Sequence, residues 1–205
     1  MAARTRGRWV AWVLVLAGCG GGGDSDGTSI DCSMFTAATA SPYVLPWQIG
    51  QTFAANPHLN WDPTVQRYAI DVRMPIGTEV LAMRAGTVVR LHESYFDGDN
   101  TPGHENFLLV QHDNGTVARY VHLTNGGALV NLGDVVQKGQ HIALSGNTGG
   151  SSAPHLHLDV TRSCCATPPD GNALPAGETL PMSFANAAPD LSCGLKEGVS
   201  YTAQP

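Results

Sequence analysis

The sequence predicts an all-β fold of short antiparallel strands with few or no helices. Three observations carry that expectation. Apolar and polar residues alternate with a period of two in many short runs, the pattern of half-buried strands. The 205 residues include 24 glycines and 13 prolines, which punctuate those runs with turns. Asn114-Gly115 stands between two alternating runs, the strongest short-range hairpin signal. No stretch carries the periodicity of a long amphipathic helix. A hydrophobic fraction of 42% and a charged fraction of 14% suit one globular domain with some chain left over. The net charge is −6 and no basic stripe is present, which argues against a nucleic-acid partner.

Taken in order, residues 1–18 read as an address rather than as fold. Arg4, Arg6 and Arg8 precede a short apolar run from Trp9 to Leu16, too short for a lasting membrane span. Leu16-Ala17-Gly18-Cys19 resembles the bacterial lipobox, with cleavage before Cys19 and acylation of that cysteine. The other reading is an ordinary signal peptide ending at small residues; both export the chain. Residues 19–31 are glycine-rich and read as a flexible tether. Residues 32–163 form the main domain, opening with an arm that carries Pro42, Pro46 and Trp47. His58 to Pro63 is loop chemistry. Strands are expected at 67–74, 79–82 and 86–92, and the polar stretch 93–104 is a loop. The hairpin takes 106–111 and 116–123. Short strands follow around the turns at Gly133-Asp134 and Lys138-Gly139, and 141–145 leads into a small-residue loop at 146–152.

Beyond Cys164 the chain is rich in Pro and Gly, and 164–205 reads as a tail stapled by disulfides. Apart from Cys19, the cysteines are Cys32, Cys164, Cys165 and Cys193, an even set in an exported chain. A vicinal bridge is strained, so Cys32 and Cys193 are each expected to bond one member of the Cys164, Cys165 pair. No C-x-x-C spacing supports a thiolate zinc site.

Chemistry concentrates in Pro154-His155-Leu156-His157-Leu158-Asp159-Val160, an alternating strand. Its period of two puts His155 and His157 on one face, with Leu156 and Leu158 on the other. Imidazole is both the commonest metal ligand and a proton carrier at neutral pH; two surface histidines on an edge strand are the plainer alternative. Asp71 lies on a strand between Ile70 and Val72, and burying its carboxylate requires a partner, such as a cation. Otherwise it faces solvent at an edge. His122 closes the second hairpin strand in Tyr120-Val121-His122-Leu123. His112, at the hairpin tip, is expected to be solvated, and His92 and His104 flank the 93–104 loop.

These motifs have company in a fitting order: Tyr68-Ala69-Ile70-Asp71, Pro75-Ile76-Gly77-Thr78, Gly86-Thr87-Val88-Val89, Gln111-His112-Asp113-Asn114-Gly115, Lys138-Gly139-Gln140, Ser145-Gly146-Asn147-Thr148-Gly149 and Pro154-His155-Leu156-His157. Together they resemble the M23 (lysostaphin- and LytM-type) zinc metallopeptidases, which cleave peptide bonds in bacterial peptidoglycan. The resemblance implies a barrel-like β core of the LytM type. Loops at 93–104, 125–129 and 146–153 would wall its groove. It implies Zn2+ as cofactor and a peptidoglycan crosslink or bridge peptide as substrate. With the lipobox, the chain is expected to be tethered by lipid through Cys19 to a bacterial membrane, facing the periplasm or the outside. A monomer is favoured. By the same resemblance Asp71 and His157 are zinc ligands, and His122 and His155 assist catalysis.

One position departs from the family pattern. In the common H-x-x-x-D form the first ligand would fall on Arg67, which cannot bind zinc. Some members with the Tyr-Ala-x-Asp form carry that histidine further upstream, in the loop before the strand, and His58 is the histidine upstream of Asp71. His58 is therefore expected as the third ligand. Two histidines and one carboxylate leave a tetrahedral zinc one open position, the pattern of a catalytic site. There is no H-E-x-x-H glutamate to act as base, so His122 and His155 are the available proton carriers, in either division of roles. Asp159 shares the face of His157 and either orients an imidazole or is solvated. The alternative function is a protein that binds the cell wall or activates amidases without catalysis, which Arg67 favours and the retained histidines oppose.

Overall fold

The computed structural model describes residues 31–58, 66–163, 174–175, 177–189 and 193–205. The signal-like segment, Cys19 and the tether lie outside these residues, as do Cys164, Cys165 and the Trp61-Asp62-Pro63 turn. Two 3-10 turns, Cys32–Met34 and Ala38–Ala40, precede the strands. In chain order the strands are β1 (Thr52–Pro57), β2 (Ile70–Val72), β3 (Glu79–Leu81), β4 (Gly86–His92), β5 (Phe107–Gln111) and β6 (Val117–Val121). There follow β7 (Leu123–Ala128), β8 (Val135–Val136), β9 (His141–Ser145), β10 (Leu156–Thr161), β11 (Ala187–Ala188) and β12 (Ser200–Ala203). All-β is the fold the alternation requires.

The strands form a nine-stranded sheet in the order β11-β12-β1-β2-β10-β6-β5-β4-β8 and a three-stranded sheet, β3-β9-β7. Pairing is antiparallel throughout the assigned ladders. The hairpin forms around Asn114-Gly115, with Leu108 opposite Tyr120 and Val110 opposite Ala118. Gly115 takes φ 80° there, a conformation glycine adopts without steric cost.

Period two gives the central strands two different faces. Ile70, Val72, Leu108, Val110, Ala118, Tyr120, Leu156, Leu158 and Val160 enter the main core. Val80, Leu123, Ile142 and Ala143 of the smaller sheet join the same cluster, so the core lies between the sheets. The intervening residues, Asp71, Arg119, His157 and Asp159, point to the opposite face of the nine-stranded sheet. That face also carries a small apolar cluster of Phe107, Leu109, Val117 and Val121. The polar face is thus set by the same alternation that builds the core.

The lead-in arm packs into the core through Leu45 and Trp47, and it also supplies β1. Two expectations are corrected. The stretch read as a stapled tail contributes β11 and β12, and β12 pairs with β1 through Phe53 and Tyr201. That return also corrects the disulfide pairing. Cys32 bonds Cys193 itself, with Cα atoms 4.8 Å apart, a normal span for a disulfide. β12 brings the C-terminal segment back to the lead-in, where Gly194 packs against the Phe35 ring. Cys32 and Cys193 are therefore neighbours, and neither bonds Cys164 or Cys165.

Candidate metal centre

Three adjacent strands deliver side chains to one point. β2 and β10 pair with Asp71 opposite His157. On the other edge of β2, β1 pairs with Pro57 opposite Ile70, and His58 extends the ladder by donating its N–H to the Ala69 carbonyl (2.9 Å). His58 Nε2 lies 2.8 Å from Asp71 Oδ2, and His157 Nδ1 lies 3.0 Å from Asp71 Oδ1. One donor atom from each of His58, Asp71 and His157 lies within 4.8 Å of the other two. Tetrahedral bonds of about 2.0–2.2 Å put ligand atoms roughly 3.4 Å apart, so this donor set fits a zinc ion with modest opening. His58 directly follows β1, a strand not expected from the sequence, and opens the stretch expected as a loop.

The charges are organised around this cluster. Burial works against the Asp71 carboxylate, but hydrogen bonds from His157 and His58 outweigh it and hold the group well below the usual carboxylate range. Burial likewise disfavours a charged His157, yet the hydrogen bonds and charges of Asp159 and Asp71 raise it to about 9. Asp159, the residue left between two readings, is fully buried, and its Oδ2 lies 3.2 Å from His157 Nε2.

Two more imidazoles stand over the cluster. His122 adopts φ 61°, the one non-glycine residue with positive φ among the described residues. It is the pivot at which the chain leaves β6 in the large sheet for β7 in the small one. A left-handed residue costs about 1–2 kcal/mol, and such strain gathers at functional sites. The kink turns the His122 ring inward, where Nδ1 donates to the Thr148 carbonyl (2.6 Å). Its centroid is 4.5 Å from that of His155 and 6.0 Å from that of His157. Burial, followed by the charge of neighbouring His155, lowers its pKa to about 4. His155 bridges to Gly146, just before β10 begins. Its Nδ1 is 2.9 Å from the Ala153 carbonyl and 3.1 Å from Ser151 Oγ, and its Nε2 is 3.5 Å from Asp71 Oδ1.

The family model described as Peptidase family M23 matches residues 65–169, about half of the chain. This chain belongs to peptidase family M23. His58 lies upstream of the matched stretch. The M23 chain is 37% identical over 118 residues to the peptidoglycan DD-endopeptidase ShyA of Vibrio cholerae, covering 56% of this chain and 25% of that protein. It is 33% identical over 123 residues to an uncharacterized metalloprotease of Buchnera aphidicola, covering 58% of this chain and 30% of the relative. It therefore spans less than a third of these relatives. Among solved structures, the catalytic domain of the antimicrobial peptidase lysostaphin from Staphylococcus simulans aligns at 29% identity. That alignment covers 58% of this chain and 76% of the other, with a TM-score of 0.39.

In this M23 member the loops expected to wall a groove are knitted together beside the histidines. Asp97 Oδ1 accepts from the Asn147 N–H (2.6 Å), and Asp97 Oδ2 accepts from Thr124 Oγ1 (2.5 Å). Asn125 Nδ2 donates to the Tyr95 carbonyl (3.2 Å), and buried Asn106 accepts from the Tyr95 N–H (3.0 Å). A β-carbon on Gly146 would collide with the Thr124 backbone and the Asp97 carboxylate. Tyr95 is stacked between His92 and His104, so those two histidines brace the 93–104 wall. His112 is corrected: it is buried against Tyr43, its Nδ1 2.9 Å from Thr116 Oγ1, and burial pushes its pKa down to about 4. Arg119 was not singled out from the sequence, and Thr148 and Ser151 were placed only as members of the 146–153 loop. Arg119 carried the signal that exposed Asp71: a charged residue in a strand whose neighbours are apolar.

Proposed function

We propose that this chain is a zinc metalloendopeptidase that hydrolyses peptide bonds of bacterial peptidoglycan crosslinks or bridges. The observation that carries the reading is the meeting of His58, Asp71 and His157, with His122 and His155 beside them. A zinc ion held by the three would supply Lewis acidity and, in favourable cases, lower the pKa of a water to about 7. Asp71 contributes the negative charge of the set, and Asp159 keeps the far nitrogen of His157 occupied. His122 keeps its Nδ1 proton on the Thr148 carbonyl, so its Nε2 is the atom left to exchange a proton. At neutral pH that ring is uncharged and able to accept one. His155 has its Nδ1 at the Ala153 carbonyl, which likewise leaves Nε2 toward the cluster. Between them the two rings take a proton from the attacking water, return it to the departing amine and donate to the carbonyl oxygen as its charge develops.

The alternative, a wall-binding or amidase-activating protein without catalysis, drew its support from Arg67 at the first ligand position. His58 beside Asp71 supplies the imidazole that alternative lacks, which favours the enzyme. A peptidoglycan substrate implies work outside the cytoplasm, consistent with the export signal and lipobox read from residues 1–19. Among the described residues no helix is long and apolar enough to cross a membrane.

The test is purified protein, assayed for metal content and for new amino termini released from isolated cell walls. We expect one zinc per chain and release that a chelator abolishes and zinc restores. His122→Ala should keep its zinc and lose about 10²–10⁴-fold in turnover. A zinc-loaded protein that leaves crosslinked wall peptides uncut overturns the assignment.

A further inference from the structure

We propose that Arg119 is a positioning residue that acts through Asp159 to set which nitrogen of His157 is presented to the metal centre. The inference rests on reading His157 as a metal ligand. β10 and β6 pair with Asp159 opposite Arg119, on the sheet face away from the main core. Arg119 Nε donates to Asp159 Oδ1 and Nη2 donates to Oδ2, both at 2.6 Å. Its third contact, from Nη1, is to the Pro175 carbonyl at 2.6 Å. Arg119 is thus held at both ends of its guanidinium and fixes the plane of the Asp159 carboxylate. Such a two-pronged contact carries geometric specificity as well as energy.

That carboxylate is fully buried and reaches one other group in this direction, His157 Nε2. An ionised carboxylate only accepts hydrogen bonds. Without metal both His157 nitrogens face a carboxylate, Asp71 at Nδ1 and Asp159 at Nε2. A cation that takes up Asp71 removes the competing acceptor, so the remaining proton stays on Nε2 beside Asp159 and the lone pair is left on Nδ1. Carboxylates that accept from the second nitrogen of a metal-binding histidine fix its tautomer and orientation. Here the carboxylate's own orientation comes from a neighbouring strand. The chain Arg119, Asp159, His157, Asp71 crosses β6, β10 and β2 along one face of the sheet.

Asp159→Asn separates this role from plain packing. The substitution keeps the shape but replaces one accepting oxygen by an NH2. Asp159 Oδ2 serves both Arg119 Nη2 and His157 Nε2, and Oδ1 serves Arg119 Nε, so the amide cannot accept all three and in either orientation sets a donor against a donor. Arg119→Lys keeps the charge but loses the fork. Zinc affinity is measured by chelator competition on wild type and both variants, with near-UV circular dichroism to check the fold. ¹⁵N-histidine NMR of the zinc-loaded wild type reports which ring nitrogen of His157 carries hydrogen. We expect Nε2–H in the wild type, zinc affinity about 10–100-fold weaker in Asp159→Asn, and a smaller loss in Arg119→Lys. Wild-type affinity in both folded variants overturns the proposal and leaves the metal centre standing. A His157 proton on Nδ1 in the zinc-loaded wild type also overturns it, and decides the matter if a variant does not fold. A wild type that takes up no zinc sinks the metal-centre reading, and this inference with it.

Discussion

Zinc uptake by this protein should release protons, and the amount follows from the surroundings of His157. Without metal, Asp159 and Asp71 hold that ring charged, with a pKa of about 9. At pH 7, two units lower, about 99% of the molecules carry the extra proton. The nitrogen facing Asp71 has to lose it before binding a cation, so uptake at pH 7 should expel at least about one proton per zinc. Apparent affinity should climb about tenfold per pH unit toward pH 9, a cost of about 2.7 kcal/mol at pH 7. His122, with its pKa near 4, adds nothing in this range. Calorimetric titration of zinc into the metal-free protein, repeated in two buffers of different ionisation enthalpy, counts the protons directly. Release well below one proton at pH 7, or an affinity flat from pH 7 to pH 8.5, would refute the reasoning.

The same shift acts on the metal-free fold. The folded pKa of His157 is raised above 6.5, so its contribution is whole below that value and is lost as pH rises through about 9. The metal-free protein should lose up to about 3 kcal/mol between pH 6.5 and pH 9, read as a falling Tm. The Cys32–Cys193 bridge closes a loop with a sequence separation of 161. Replacing both cysteines by alanine should destabilise the protein by about 2–5 kcal/mol in urea, with zinc content unchanged. At His122, whose φ is 61°, glycine should give a more stable protein than alanine by about 1 kcal/mol, while both lose turnover. Equal stability of the two would mean that the left-handed conformation is not held in solution.

Much of the site was legible because strand geometry is local. Alternation alone put His155 with His157, and set Asp71 apart from Ile70 and Val72. The Asn114-Gly115 turn placed the hairpin that ends at His122. Burial was harder to read. His112 looks like a turn-tip histidine, but the lead-in folds Tyr43 over it. Cys32 and Cys193 had no local sign of their partnership, because β12 had first to pair with β1.

What the sequence determined by itself was the all-β class, the sidedness of each strand and the set of histidines and carboxylates available for chemistry. Those properties depend on residues two apart, and a two-residue period is visible in one dimension. Only the tertiary structure decided that His58 completes the cluster, that Arg119 stands behind Asp159, and which cysteines bond. Each of these is a contact across neighbouring strands or distant segments, fixed by ladder register and by the core holding both sheets together. Register is a property of pairs of segments, and no single stretch of chain records it.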